Sequence, residues 1–214
     1  MTPQHIEQFF ATLAAADPAP CTELLYENPF QLLVAVVLSA QATDAGVNKA
    51  TPALFAAAPG PAEMVAIGED RIRDLVKTIG LFNTKAKNVL ALSAILVAQH
   101  DGVVPASREA LQALPGVGRK TAAVVLNIAF GQETCAVDTH VFRVANRTGL
   151  APGKTPDAVE DALMAVIPPA YRRHAHHWLI LHGRYVCIAW RPQCWRCPVA
   201  ALCAFEPKTA APVP

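Results

Sequence analysis

An eleven-residue run from Phe30 to Ala40, FQLLVAVVLSA, is apolar on nearly every side of a helix and carries no charge. Asn28 and Pro29 precede it, and this pair is typical of a helix start, with asparagine as the N-cap and proline in the first turn. A helix without a polar face belongs in a protein interior. The run therefore predicts a buried central helix that other helices surround.

The remaining chain also favours helices over strands, which predicts an all-α fold. One further helix is expected from Thr43 or Asp44 to just before Pro59. Others are expected at 83–99, 107–114, 119–130, 139–148, from Thr155 to just before Pro168, and at 172–188. The β-branched runs at 34–37 and 123–125, which alone would suggest a parallel α/β fold, both lie in helical context. The Ala/Pro-rich tail from Lys208 to Pro214 is expected to be frayed.

Length and composition bound the class of protein. The 214 residues, 53% of them hydrophobic, allow one domain or two small ones with a proper core. The longest uncharged stretch, Asn28 to Thr43, has 16 residues, whereas a membrane span needs about 20. The N-terminus has no basic region leading into an apolar run, so no signal peptide is expected. A cytoplasmic protein without membrane association is the expectation.

Charge is distributed unevenly along the chain. The net charge is only +1 and the pI is near 7.7, below the values above 9 that many DNA-binding domains have. However, no Asp or Glu occurs between Ala162 and Phe205, a stretch with five arginines and four of the seven histidines. This asymmetry suggests a basic face for nucleic acid or another anion. A solvated surface with arginines at helix ends is the alternative.

The segment Leu114–Thr121, LPGVGRKT, joins two predicted helices by a tight turn. Gly116 and Gly118 permit positive φ and a close backbone approach. Unpaired N–H groups and the helix dipole favour an anion at a helix start, and Arg119 and Lys120 add positive charge, so the turn predicts a phosphate site. A helix corner with glycines for steric reasons alone is the alternative. The spacing is not that of a nucleotide-binding P-loop.

Lys120 and Asp138 are the candidate reactive groups. Partial burial of Lys120 beside the positive end of a helix dipole would favour the uncharged amine, which can attack a sugar carbon and form a Schiff base. A second lysine contact to phosphate is the alternative. Asp138 can cap the helix predicted from Thr139. A carboxylate facing a ribose can also stabilise an oxocarbenium ion or move a proton.

A compact cysteine pattern, C-x6-C-x2-C-x5-C, lies near the C-terminus. Its members are Cys187, Cys194, Cys197 and Cys203. Zinc sites with four cysteines usually contain two Cys-x-x-Cys pairs, and only one is present, so the spacing favours an iron–sulfur cluster and leaves zinc open. Cytosolic disulfides are disfavoured. Cys21 and Cys135 lie outside the pattern and are expected to be buried, inert thiols.

Two motifs together resemble a known family. LPGVGRKTA at 114–122, followed by VDTHVFR at 137–143, resembles the helix-hairpin-helix-Gly/Pro-Asp superfamily of DNA glycosylases. The segments at 38–44, 77–83 and 176–184, with the cysteine pattern, resemble the bacterial endonuclease III family within it. The lysine at 120 marks the bifunctional branch, whereas the adenine-mismatch glycosylases usually lack it.

The resemblance implies a bifunctional DNA N-glycosylase and abasic-site lyase of base-excision repair. Such an enzyme removes oxidised or damaged pyrimidines from double-stranded DNA and cleaves the abasic site on its 3′ side by β-elimination. It makes Lys120 the nucleophile at C1′ and Asp138 the acid/base, with one [4Fe-4S] cluster on the four cysteines. Gln41 is expected to fill the gap left by the flipped nucleotide, with Leu81 intruding opposite. Further DNA contacts are expected at Asn83, Leu114, Gly116, Val117, Gly118, Arg119, Thr121, His140, Arg143, Arg184, Arg191 and Arg196.

The resemblance also implies an architecture of two helical domains. A six-helix barrel with the helix-hairpin-helix is expected at 22–132, and a discontinuous iron–sulfur cluster domain at 1–21 and 133–214, with a cleft between them. The protein is expected to act as a monomer on nucleoid DNA. Alternatives are a related glycosylase with another base preference, a non-catalytic iron–sulfur protein that binds DNA or transfers electrons, and a zinc-stabilised DNA binder.

Overall fold

The computed structural model describes residues 1–212, in which all regular structure is helical and no strand occurs. Three short 3₁₀ turns, at Pro169–Tyr171, Cys194–Arg196 and Ala200–Leu202, accompany the α-helices. The α-helices are α1 (Pro3–Ala16), α2 (Pro29–Leu38), α3 (Asp44–Ala57), α4 (Pro61–Val76), α5 (Phe82–Gln99), α6 (Arg108–Gln112), α7 (Arg119–Phe130), α8 (Thr139–Thr148), α9 (Pro156–Val166) and α10 (Arg172–Tyr185). No helix in this range is long and apolar enough to cross a membrane.

The N-caps explain where the predicted helices begin. Asn28 Oδ1 accepts a hydrogen bond from the Gln31 N–H at 2.9 Å, which satisfies one free donor at the start of α2. Thr43, Ser107 and Thr155 cap α3, α6 and α9 in the same way, as predicted. The predicted ends are less accurate, because α6 stops at Gln112 and α10 at Tyr185, earlier than expected.

Two helices, α1 and α4, have no counterpart among the helices predicted from the sequence. The start of α1 carries the same signal as α2, since Thr2 caps it and Pro3 lies in its first turn. Helix α4 is interrupted at Gly68, whose φ of 74° and ψ of 170° kink it. This kink breaks the helical periodicity of the apolar residues, so the pattern does not read as one helix.

The chain divides into two compact units. One comprises residues 23–132 and holds α2 to α7; we call it the hairpin unit. The other combines residues 1–22 with the segment from Glu133 onward and holds α1 and α8 to α10; we call it the cysteine unit. Thr22, which the sequence placed at the start of the barrel domain, falls in the cysteine unit.

Helix α2 forms the centre of the hairpin unit. Every residue from Phe30 to Leu38 is buried, as predicted, whereas Ser39 is half-buried and Ala40 is exposed. Helix α2 packs against α3, α5 and α7. Helix α4 packs along α5, and α6 packs against α7. Both β-branched runs lie in helices, α2 and α7, because burial on all sides suits them there as well as in a central strand.

The cysteine unit has an aromatic core in which α1 and α10 meet. Phe10 stacks on Tyr171 with ring centroids 5.9 Å apart, and Trp178 Nε1 donates to the Asp17 carbonyl at 2.8 Å. These contacts hold the N-terminal helix against residues more than 150 positions later. The prediction that Cys21 is buried is wrong, since it is exposed, whereas Cys135 is buried as predicted.

The C-terminal tail is better held than its composition predicted. Lys208 Nζ donates to the Cys203 carbonyl at 2.9 Å and to Glu206 Oε1 at 2.9 Å. Thr209 Oγ1 bonds the Pro192 carbonyl and accepts from the Cys194 N–H. The expectation of fraying is therefore wrong for Lys208 and Thr209, and for residues 213–214 it lies outside the described part of the chain.

Candidate functional site

The turn between α6 and α7 is fixed by buried side chains at both ends. Leu114 and Val117 are buried, and the Val117 N–H donates to the Leu114 carbonyl at 3.1 Å. Gly116 has φ 79°, and a Cβ there would lie 2.9 Å from Asn88 Nδ2. Glycine is thus required at 116 for both its backbone angle and its closeness to α5. Leu114 and Val117 therefore shape the turn from within, whereas Gly116 is exposed at its surface, and the predicted DNA contacts of all three stay predictions.

Gly118 plays a different part from Gly116. Its φ of −89° is open to any residue, and a Cβ there would meet no atom within 4 Å. The prediction of positive φ therefore holds for Gly116 and is wrong for Gly118. Gly118 is the N-cap of α7, and no side chain caps that helix. The helix start thus faces open space with its positive dipole end, an arrangement that suits a phosphate.

Three predicted site residues occupy the first turn of α7. Lys120 is the second residue of the helix and its side chain is exposed, while Arg119 and Thr121 are half-buried. The expected partial burial of Lys120 is not found. The amine is accessible beside the uncapped helix start, so a sugar–phosphate chain bound at the turn can reach it.

Gln41 and Leu81 share an unusual backbone. Both are exposed non-glycine residues in the left-handed region, with φ of 54° and 60°. Leu81 is 57% exposed, which excludes a core role, and Thr43 rather than Gln41 caps α3. Left-handed residues cost about 1–2 kcal/mol each, and such strain is common at functional sites.

The turns that carry Gln41 and Leu81 are neighbours. A Cβ on Gly80 would lie 3.9 Å from the Gln41 carbonyl oxygen, so the two turns run side by side. Asn83, the second residue of α5, is exposed next to them. Sequence reasoning named these residues from resemblance alone, and the positive φ values give them a physical signature that it lacked.

Lys85, for which no role was predicted, lies one turn into α5 from Leu81. Its side chain is buried, and its Nζ has no hydrogen-bond partner among residues 1–212. Burial lowers the pKa of this amine. In the sequence, a lysine four residues after a leucine is not a sign that the lysine is buried.

Asp138 caps α8, as predicted. Its Oδ1 accepts from the Val141 N–H at 2.8 Å, and the side chain is half-buried. Capping uses one carboxylate oxygen and leaves the other for a ligand. The segment before it, Thr134–Val137, is buried, and His176 Nδ1 lies 2.8 Å from the Ala136 carbonyl. Asp138 therefore follows a segment that is held by packing and by a buried histidine.

The four predicted cysteines line one pocket of the cysteine unit. The pocket encloses about 320 Å³ including its open mouth, and Arg147, His182 and Lys208 also line it. Within residues 1–212, no three Cys, His, Asp or Glu side chains converge as joint ligands of a single metal ion. Burial raises the pKa of Cys197 to about 11 and also raises the pKa of Cys203, so bound metal must displace their protons.

The donor set of the pocket suits a sulfur-rich metal centre. The Phe205 N–H donates to Cys203 Sγ at 3.4 Å, and His182 Nε2 lies 3.7 Å from Cys197 Sγ. Four soft cysteine sulfurs, one of them facing a backbone N–H, form a donor set that suits iron–sulfur ligation, in which each cysteine binds one corner of the cluster as a thiolate. The residues present therefore fit a cluster.

Two arginines of α8, spaced four residues apart, clamp this pocket. Arg147 donates to the carbonyls of Ile188 at 2.8 Å and Ala189 at 2.9 Å, and its Nη1 lies 3.6 Å from Cys187 Sγ. Arg143 donates to the carbonyls of Gly183 at 2.7 Å and Cys187 at 3.0 Å. Arg147 was not predicted, although its spacing from Arg143 places both on one helix face.

The clamp changes the interpretation of two predicted DNA contacts. Most N–H groups of Arg143 are used within the cysteine unit, one of them against His140 Nδ1 at 3.1 Å. The guanidinium thus holds backbone in this structure, and a phosphate contact of Arg143 stays a prediction. His140, half-buried, is also engaged in this contact.

The remaining predicted contacts differ in exposure. Arg184 is half-buried on α10, and Arg191 is exposed between the first two cysteines. Arg196 is exposed, and its Nη2 donates to the Tyr185 carbonyl at 2.7 Å while its Nε bonds Gln193. We call the segment from Cys187 to Cys203 the cysteine loop. Arg191 and Arg196 therefore carry its accessible positive charge.

Comparison with known proteins agrees with this picture. Residues 34–169 match the family model described as HhH-GPD superfamily base excision DNA repair protein. The chain is 53% identical over 201 residues to endonuclease III of Escherichia coli, covering 94% of this chain and 95% of that protein. It is likewise 53% identical over 205 residues to endonuclease III of Rickettsia conorii, covering 96% and 98%.

Solved structures give the same result. A trapped endonuclease III–DNA covalent intermediate is 43% identical and has a TM-score of 0.89, with 95% of this chain and 96% of that chain covered. A thermostable thymine-DNA glycosylase is 24% identical with a TM-score of 0.85 over 94% of this chain, a likeness of fold alone.

Proposed function

Since the chain belongs to the HhH-GPD superfamily of base excision DNA repair proteins, we propose that it excises damaged pyrimidines from duplex DNA and then cleaves the abasic site. The observation that carries this proposal is the exposed Lys120 amine on the first turn of an uncapped helix. The uncapped start offers a place for the DNA phosphate, and the amine stands beside it. High identity to endonuclease III proteins over almost the whole chain supports the same activity.

The proposed chemistry uses Lys120 and Asp138. The damaged nucleotide first leaves the duplex, at a cost of a few kcal/mol. The Lys120 amine attacks C1′, and the C1′–N bond breaks as the base leaves with the electron pair. Asp138 stabilises the positive charge that develops on the sugar and moves protons. The sugar ring then opens to a Schiff base at C1′.

Strand cleavage follows from the Schiff base. Loss of a C2′ proton lets the electrons form a C2′–C3′ double bond as the 3′ phosphate departs. Water then hydrolyses the imine, which releases the unsaturated 3′ end and restores the Lys120 amine. Two moderate covalent steps thus replace one difficult displacement.

In the proposed DNA complex, the hairpin unit binds the DNA backbone and also fills the gap that the flipped nucleotide leaves. The start of α7, with Arg119 and Thr121, takes a phosphate of the damaged strand. Gln41 and Leu81, on neighbouring strained turns, fill the space that the flipped nucleotide leaves. Asn83 contacts the backbone beside them. Arg184, Arg191 and Arg196 add phosphate contacts from the cysteine unit.

One [4Fe-4S] cluster is proposed on Cys187, Cys194, Cys197 and Cys203. When bound, it joins four points of the loop into one rigid element. Arg147 orients the backbone before the second cysteine, and the Phe205 N–H faces the Cys203 sulfur. The hairpin unit is proposed to be a six-helix barrel, and the protein to act as a cytoplasmic monomer at the nucleoid.

Borohydride trapping tests the proposal on two duplexes, one with an oxidised pyrimidine and one with an abasic site. Wild type is expected to form a covalent complex with both, and Lys120→Ala with neither while still binding DNA. Lys49→Ala, which removes an exposed lysine on α3, serves as the matched control and should trap like wild type. Strand cleavage by Lys120→Ala at the wild-type rate overturns the assignment.

Trapping on the abasic duplex alone would indicate a lyase without this base specificity. Damaged purines and mismatched duplexes would then be assayed for base release. Absence of trapping on both duplexes, with binding intact, would favour a non-catalytic DNA-binding protein.

A further inference from the structure

Two Trp-Arg pairs lie five residues apart in the cysteine loop. They are Trp190–Arg191, between the first two cysteines, and Trp195–Arg196, between the second and third. The Trp190 side chain is 100% exposed, and Trp195 is exposed too. Tyr185, at the end of α10, is likewise exposed, and its carbonyl accepts from Arg196. We call Tyr185, Trp190, Arg191, Trp195 and Arg196 the aromatic–arginine surface.

The backbone on both sides of Trp190 is held in place. Arg147 bonds the carbonyls of Ile188 and Ala189, the two residues before it. On the other side Pro192 is buried, and the Gln193 N–H donates to the Val186 carbonyl at 2.9 Å. The indole is therefore presented to solvent from an anchored turn, not carried on a loose end.

Full exposure of tryptophan is unfavourable without a ligand. Tryptophan is mostly buried in proteins, and its ring offers a large apolar face. Its neighbours are cationic, and no Asp or Glu occurs between Ala162 and Phe205. A ligand for this surface must then be negatively charged and must also offer flat, apolar faces. Nucleic acid has both properties, through its phosphates and its bases.

The exposed ring selects unpaired over paired DNA. In a duplex the base faces are covered by stacking, whereas single-stranded DNA leaves them free for aromatic side chains. We propose that the aromatic–arginine surface binds single-stranded DNA, with Trp190 stacking on a base and Arg191 contacting a phosphate. The proposal rests on the proposed function in that DNA is the substrate. It adds a second binding element, apart from the hairpin turn, for unpaired strand.

Binding of a single-stranded oligothymidine of about 16 nucleotides tests the proposal. Trp190→Ala is expected to weaken binding about tenfold, since base–aromatic stacking is worth about 1–3 kcal/mol and 1.4 kcal/mol is tenfold. Trp190→Phe should retain most of the affinity. Leu25→Ala, which removes an exposed apolar side chain of the hairpin unit, is the control and should bind like wild type.

Two further readouts separate stacking from charge. Tryptophan fluorescence should be quenched by the oligonucleotide in wild type and much less in Trp190→Ala. Arg191→Ala should lower the dependence of binding on salt by about one phosphate contact, whereas Trp190→Ala should leave that slope unchanged.

Failure of this inference is distinguishable from failure of the proposed function. Wild-type affinity in Trp190→Ala, with lyase activity present in the wild type, overturns the stacking proposal alone. Tryptophan-dependent binding by a chain without lyase activity overturns the proposed function and supports this surface. The stacking proposal is also overturned if the protein binds only duplex DNA and Trp190→Ala weakens that binding to the same extent. Binding of a protein instead of DNA at this surface overturns it as well.

Discussion

The hairpin turn and the cysteine loop both offer positive charge to a ligand, and they are built in opposite ways. The turn between α6 and α7 is made of consecutive residues whose own backbone and two buried side chains, Leu114 and Val117, fix its shape. The cysteine loop is held from outside, by arginines of α8 some forty residues earlier. The first therefore depends mainly on residues close together in the chain, whereas the second depends on partners some forty residues away.

Removing a cysteine ligand should have the largest effect on this comparison. Cys197→Ser is expected to lose the visible absorption of the cluster and to destabilise the cysteine unit by about 4 kcal/mol or more, since loss of a metal is among the costliest changes. Thermal unfolding followed with absorption checks this. Cys21→Ser, at an exposed thiol outside the pocket, is the control and should change neither signal. Unaltered absorption and unfolding in Cys197→Ser would contradict a cluster at this pocket.

Loss of the arginine clamp should have the second-largest effect on stability. Arg147→Met keeps the aliphatic stem but removes the hydrogen bonds to the Ile188 and Ala189 carbonyls. We expect a loss of about 2–3 kcal/mol, because hydrogen bonds from charged groups are worth about 1.5–3 kcal/mol each and the site is half-exposed. Arg191→Met, at an exposed arginine of the loop itself, should change stability by less than about 0.5 kcal/mol. Equal unfolding free energies for the two variants would show that the clamp does not hold the loop.

The same contrast explains what could be predicted from sequence. The starts of α2, α3, α7 and α9 follow from local caps and turn residues, and the prediction was correct at each. The exposure of Lys120, the burial of Lys85 and the internal use of Arg143 were not foreseen. Arg143, for example, binds carbonyls some forty residues later in the chain, which no local pattern encodes. The cysteine spacing indicated a shared centre but gave no sign of Arg147.

Alanine at the two glycines of the hairpin should separate folding from binding. Gly116→Ala puts a Cβ at φ 79° and 2.9 Å from Asn88, so we expect a loss of about 1–3 kcal/mol in unfolding free energy. Gly118→Ala, at φ −89° with open space around it, should change stability by less than about 0.5 kcal/mol. Denaturant unfolding measures both.

The effects of these two variants on DNA affinity should be in the reverse order of their effects on stability. The methyl group of Gly118→Ala would stand where a phosphate approaches the start of α7, so DNA affinity is expected to fall about tenfold, the equivalent of one charged hydrogen bond. Gly116→Ala, once folded, should bind within about threefold of wild type, less than the factor lost with one such bond. Wild-type affinity in Gly118→Ala would mean that the uncapped helix start is not the phosphate site.

Asp138 offers the smallest change in stability and the sharpest test of its role. Asparagine caps a helix about as well as aspartate, so Asp138→Asn should keep the hydrogen bond to the Val141 N–H and unfold within about 0.5 kcal/mol of wild type. Asp138→Ala should lose about 1 kcal/mol with the cap. Both variants lack the carboxylate, so both should release a damaged base far more slowly in single-turnover assays. If the asparagine variant instead works at the wild-type rate and only the alanine variant is impaired, Asp138 serves as a cap alone, and the charge that develops on the sugar must be stabilised by another group.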